Sequence, residues 1–377
     1  MFAKAITTYE PEHRRILRSN AEDFLASRSV AEIRASAEER SFDRAFYQQL
    51  CDLGWVGMVP ISEGELDASD LVALHRELGR KVLPEPMLAS GVMATGILSE
   101  AANPAFAAQL EKLISGEITA TLAWQGASGG VDAGDCGPVA RRTGKGWTLD
   151  GTARFVPWAS KADAIIVAAK AEGGVLLAWL PAETDGRSVQ SATGVDKTEY
   201  SGVTLDGVVF GDEAVIVTPD KGADCLNKVL DLTRLAVSAE MVGAAEAVFK
   251  LTLDYLRERK QFGKAIGSFQ VLQFAATEIF VQLELANSVL SDAARLYAEG
   301  DAQSVARIAA CKSRCGDAAF MAARGAIQMH GAIGYTHECD VSLYVKRIMQ
   351  LNAWLGSPAR QRQRIQKLQP TSVRAAA

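Results

Sequence analysis

Arg257-Glu258-Arg259-Lys260-Gln261-Phe262-Gly263-Lys264-Ala265-Ile266-Gly267-Ser268-Phe269-Gln270 is the stretch whose reading decides the fold. Four cations, Arg257, Arg259, Lys260 and Lys264, surround an aromatic and two glycines. On both sides the apolar residues recur at helical spacing, over 224–258 and 268–299, so the stretch joins two long helices. A plain helix connection needs few special residues. An arginine on a rigid helix end can instead fork onto a phosphate, and an aromatic can cover a ring. A solvated basic loop with a hydrophobic plug has the same composition, and the residues alone leave both readings open.

Working outward, helical texture continues to about residue 368, with long segments over 301–329 and 337–352. Between those segments lies Gln328-Met329-His330-Gly331-Ala332-Ile333-Gly334-Tyr335. Glycines three apart allow positive φ or bare N–H groups for an anion, although a glycine cap and a turn would look alike. Four such helices indicate a bundle. Before them, over 118–222, come the short β-rich runs ITATLAW, WTLDGTARFV, DAIIVAAK, GVLLAWLP and GVTLDGVVF, with Gly- and Asp-rich turns between them. They predict an antiparallel sandwich or barrel. The first 118 residues read as helices near 9–28, 42–53, 68–80, 88–99 and 103–115, the third capped by Asp67 or Ser69 and ending near Gly79. The expectation is an α+β chain: an N-terminal helical domain (1–118), a middle antiparallel β domain (119–222) and a C-terminal four-helix bundle (223–377) with a frayed tail.

Composition excludes several classes. The 377 residues are 48% hydrophobic and 23% charged, as in ordinary globular proteins. A net charge of −5 gives no electrostatic grip on nucleic acid or an anionic membrane. No run reaches membrane-spanning length, the N-terminus lacks a secretory apolar region, and the six cysteines form no disulfide framework, so a cytoplasmic location is expected. Neither a dinucleotide fingerprint, a phosphate loop nor a nucleophile elbow occurs. GASGGVDAGDCG (126–137) reads as a long loop, and Cys311 and Cys315 as buried small hydrophobes. No metal-ligand spacing surrounds His13, His75, His330 or His337, and no metal site is expected.

Taken together, RKQFGKAIGSFQ and QMHGAIGYTHE on one C-terminal bundle resemble the two signatures of the acyl-CoA dehydrogenase family. DLGWVGMVP (52–60), GVTLDGVVF (202–210) and Thr233-Arg234 are similar too, so the resemblance spans nearly the whole chain. It implies FAD between the β domain of one subunit and the bundle of its neighbour, with Arg259, Phe262 and Gln328 holding the ADP half across the interface. Gln270 belongs to the same signature, and Gly331 and Gly334 shape the turn. Ala332 replaces one family glycine. The implied chemistry is α,β-desaturation of an acyl-CoA thioester, in which a glutamate removes the α proton and the β hydrogen leaves to the flavin; an electron-transfer flavoprotein is the implied acceptor.

Both base positions known in the family are empty. The common one falls 27 residues after Gln328, on Leu355 in Ala353-Trp354-Leu355-Gly356-Ser357; the other falls on Thr233. Glu240, two turns past Thr233, is the nearest substitute, and a charge-paired structural carboxylate is the alternative for it. The flavin cradle also departs from the family: Ala123-Trp124-Gln125 stands for its Thr-Glu-Pro, with Ser128 and Gly129 as a remnant, and Pro157 stands for the threonine beside flavin N5. Family members acting on bulky acyl-CoAs, such as steroid side chains, resemble heterotetramers in which one subunit carries the base and the other completes the FAD site. The chain resembles the second kind. Other expectations are a self-sufficient homodimer or homotetramer with Glu240 as base, a flavin-free structural or regulatory subunit, and related oxidase or monooxygenase chemistry.

Overall fold

The structure, a computed structural model, describes residues 10–39, 41–58, 66–144 and 146–368. The end of the DLGWVGMVP segment and the C-terminal tail lie outside the described residues.

The N-terminal helices are α1 (Glu12–Ala26), α2 (Val30–Glu38), α3 (Arg44–Asp52), α4 (Ala68–Lys81), a π-helical turn (Met87–Ala94), α5 (Thr95–Ala101) and α6 (Ala107–Ile114). Caps explain the starts. Asp43 accepts from the Phe46 N–H, and Asp67 forms a capping box with Asp70. Gly79 lies in the last turn of α4, and packing requires a glycine there: a Cβ would stand 2.2 Å from the Glu240 carbonyl oxygen. Gly243 has the same relation to the Arg76 carbonyl, at 2.0 Å. These two glycines let α4 cross the long bundle helix backbone against backbone.

The middle region is one eight-stranded sheet in the order β6-β7-β3-β2-β4-β5-β8, with β1 also pairing β4. Its strands are β1 (Ala120–Ala123), β2 (Val139–Thr143), β3 (Gly146–Pro157), β4 (Ala164–Ala171), β5 (Gly174–Pro181), β6 (Arg187–Gln190), β7 (Tyr200–Phe210) and β8 (Val215–Val217). The antiparallel expectation is corrected: β1 and β2 both pair β4 in parallel, so the sheet is mixed. The reason is visible in β4. Ile165, Val167 and Ala169 face the interior of the β domain, while Ala164, Ile166 and Ala168 face the helices, so the strand is covered on both sides.

The bundle consists of α7 (Pro219–Glu258), α8 (Gln270–Ala298), α9 (Ser304–His330) and α10 (Val341–Ala353), followed by α11 (Pro358–Leu368) on α9. Helix α7 is the axis of the molecule, touching α4, α8, α9, α10 and the sheet. Among the described residues no helix is long and apolar enough to cross a membrane.

Candidate functional site

The two signatures meet at one end of the bundle. Tyr255 stacks on His330 with ring centroids 4.4 Å apart, tying the end of α7 to the end of α9. Arg259 follows α7 in extended conformation. Its N–H donates to the Tyr255 carbonyl at 2.9 Å, and its own carbonyl accepts from the Ile266 N–H at 2.8 Å. A two-residue ladder, Lys260–Gln261 against Lys264–Ala265, then turns at Phe262 (φ 53°) and Gly263 (φ 77°). That turn holds Phe262 91% exposed, its ring at right angles to that of Phe269 with centroids 6.2 Å apart. Arg259 and Gln328 are exposed as well, and Gly331 adopts φ 67°. Gly334 is buried where a Cβ would meet that of His330 at 2.9 Å. Gln270 is the exposed first residue of α8. Arg259, Phe262, Gln328 and Gly331 are therefore all exposed, near the end of the bundle where Tyr255 meets His330.

The segment of Leu355 is built differently. Leu355 is 1% exposed at φ 57°, and Trp354 packs edge-on against Tyr200 at 5.8 Å. Lys312 closes the C-terminus of α10 by donating to the carbonyls of Leu351 (2.9 Å) and Asn352 (3.3 Å). Burial, reinforced by the nearby Arg234 charge, pulls the Lys312 amine down to about 7. Gln361 of α11 donates to the Leu355 carbonyl at 2.7 Å. On α7, the Thr233 hydroxyl donates to the Val229 carbonyl at 2.7 Å, within its own helix. Leu355 has no proton-accepting group, and the Thr233 hydroxyl is far too weak a base to take a substrate proton.

Glu240 is a junction residue. One oxygen lies 3.0 Å from His75 Nδ1 on α4, and the other accepts from Arg347 on α10 at 2.9 Å. Arg347 also reaches Asp196 of the β domain at 3.0 Å. Burial pushes the Glu240 carboxyl upward, but the Arg347 charge and the His75 hydrogen bond outweigh it and hold the group below its ordinary value. Both Glu240 oxygens are thus engaged, and its ionised form is favoured.

The β-domain side carries two strained positions. A register shift in β3 leaves Phe155 at φ 57° and half exposed; Trp158, at φ 58°, is buried edge-on to Phe42 at 5.4 Å. Trp124 and Gln125 are buried, Gln125 donates to the Gly130 carbonyl, and Ser128 sits exposed on the same loop. Helix α11, where the helical texture of the sequence ends, supplies Gln361 and Arg364 to this region and opens on a helix-starting proline.

Residues 220–368 match the family model described as acyl-CoA dehydrogenase, C-terminal domain. Acyl-CoA dehydrogenase IpdE2 of Mycobacterium tuberculosis is 28% identical over 356 residues, covering 92% of this chain and 94% of the relative. Acyl-CoA dehydrogenase FadE34 of the same organism is 30% identical over 373 residues, covering 95% of this chain but 47% of the longer relative. Among solved structures, the ChsE4-ChsE5 complex from M. tuberculosis superimposes with a TM-score of 0.88 at 23% identity, covering 97% of this chain and all of that one. With the fold, both C-terminal signatures and these relatives in agreement, the chain belongs to the acyl-CoA dehydrogenase family of FAD-dependent oxidoreductases.

Proposed function

We propose that this chain is the subunit without a catalytic glutamate in a heteromeric enzyme that desaturates an acyl-CoA thioester between its α and β carbons. The observation that carries the reading is an asymmetry. The residues that would grip an ADP group, Arg259, Phe262 and Gln328, stand open at the bundle end, whereas the base position is a buried leucine.

FAD fits this chain in half. A guanidinium without a side-chain partner among the described residues, an aromatic held out by its backbone, and a neighbouring amide suit a diphosphate and a ring. The flavin-ring half does not fit, since Pro157 has neither hydroxyl nor N–H and Trp124 is turned inward. When bound, FAD supplies the acceptor for the β hydrogen. Arg259, Phe262, Gln328 and Gln270 would hold its ADP end, and the proton-removing glutamate would come from the partner.

A homologous subunit also has a surface to cover. Val271 and Phe274 are 72% and 70% exposed, and Val281 and Leu285 continue the apolar stripe along α8. An exposed stripe of this size marks an interaction face. The ChsE4-ChsE5 complex shows the same fold in an assembly of two named components. A homologous, glutamate-bearing subunit produced together with this chain tests the reading. FAD retention and turnover are expected only in the mixed assembly, and Arg259→Ala should weaken FAD retention by about tenfold or more, as loss of a charge-assisted contact does. Turnover by this chain alone would contradict it. An electron-transfer flavoprotein is the acceptor this reading implies.

A further inference from the structure

The loop 126–137 does not lie free between strands. Its Val131 carbonyl accepts from Arg234 of α7, and its Ala133 N–H donates to Asn227 of the same helix at 2.8 Å. Asp132 accepts from Arg364 Nε of α11 at 2.8 Å, and Arg364 continues to Asp231 of α7 at 2.8 Å. Asp231 in turn holds Arg234 at 2.6 Å. Two aspartates and two arginines thus close a neutral chain of charges across the β domain, α7 and α11, with Arg234, Asp231 and Arg364 all buried. The loop reaches the base segment directly: a Cβ on Gly356, next to Leu355, would stand 2.6 Å from the Val131 side chain.

We propose that Asp132 and Arg364 form a latch that seats this loop against the Leu355 segment and closes this chain's own cleft to an acyl thioester. A buried ion cluster is a poor source of stability, because desolvation offsets much of the attraction. It does select one arrangement of the parts it joins, and here those parts are the β domain and the helix behind Leu355. Such a closed cleft has a use only if the chemistry resides in the partner, so the inference rests on the heteromeric reading.

Cys136 reports on the latch. It lies in the loop, is 3% exposed, and burial pushes its thiol up to about 12, so alkylation requires the loop to open. Asp132→Asn removes the latch charge while leaving the Asp231 bonds to Arg234 and Arg364 in place. The experiment follows N-ethylmaleimide labelling of each cysteine by peptide mass mapping, in the full chain and in this variant. Expected is about tenfold or faster labelling of Cys136 in the variant, with Cys51, buried among the N-terminal helices, unchanged as the internal control. Arg364→Lys should give an intermediate rate, since the charge stays and the fork is lost. Equal Cys136 rates in all three proteins would overturn the latch. So would parallel acceleration of Cys51, which would signal general loosening. Flavin content does not enter this readout, so failure of the latch and failure of the heteromeric reading remain distinguishable.

Discussion

Glu240 shows how one buried carboxylate can tie three parts of the fold together. It joins α4 through His75 and, through Arg347, joins α10 to Asp196 of the β domain. Glu240→Gln leaves Arg347 short of one charge in a buried setting, and a cost of about 3–5 kcal/mol is expected, read as a lower urea midpoint. Lys312 gives a test by pH. Its amine falls from 10.5 to about 7 in the folded chain, so between those values the unfolded chain holds a proton that the folded one lacks. Stability from this group therefore rises with pH across that window and is lost as pH falls through about 7. Comparing thermal midpoints of the protein and of Lys312→Met at several pH values should show the rise only where the lysine remains; parallel curves would contradict it. The apolar residue Leu355 was legible in the sequence, and the structure buries it. The partners of Glu240 were not, since they lie 165 and 107 residues away along the chain.

At the scale of elements, strong periodicity was readable and short pieces were not. The long bundle helices α7, α8 and α9 and the five main strands lie where apolar spacing puts them. Helix α2 was missed although Ser29 and Glu32 bond reciprocally as a capping box, a pattern visible in Ser29-Val30-Ala31-Glu32. Strands β2 (VARRT) and β6 (RSVQ) are mostly polar and β8 has three residues, so no long apolar run marks them. The parallel pairing of β1 with β4 depends on non-local packing that no local pattern carries. Gly79 and Gly243 are the clearest element-scale constraint. Gly243→Ala would press a methyl against the Arg76 carbonyl, and a loss of about 1–3 kcal/mol is expected by calorimetry, as for overpacked cores. A change within error would mean that α4 and α7 can separate without strain.

Across the whole molecule, the surfaces divide into one closed region and one open one. The closed region, around Leu355, is held by α10, α11, Lys312 and the 126–137 loop. The open one includes the exposed Arg259–Phe262 turn, Gln328 and the apolar stripe of α8. Phe274→Glu should therefore lower the native mass of an assembly while leaving the folded subunit intact, which light scattering and circular dichroism would separate; an unchanged mass would place the interface elsewhere. The two motifs that carry Arg259, Phe262 and Gln328 could be read in the sequence, because each motif is a short contiguous run. The closure could not, because Asp132, Asp231 and Arg364 meet only in the fold. The most direct test of the central claim is the visible absorption spectrum of the chain purified alone, taken with its flavin-to-subunit ratio. A colourless or clearly substoichiometric preparation, which becomes yellow and active only with a glutamate-bearing homologous subunit, is the predicted result. One flavin per subunit with acyl-CoA dehydrogenase turnover, and no second chain present, would contradict it.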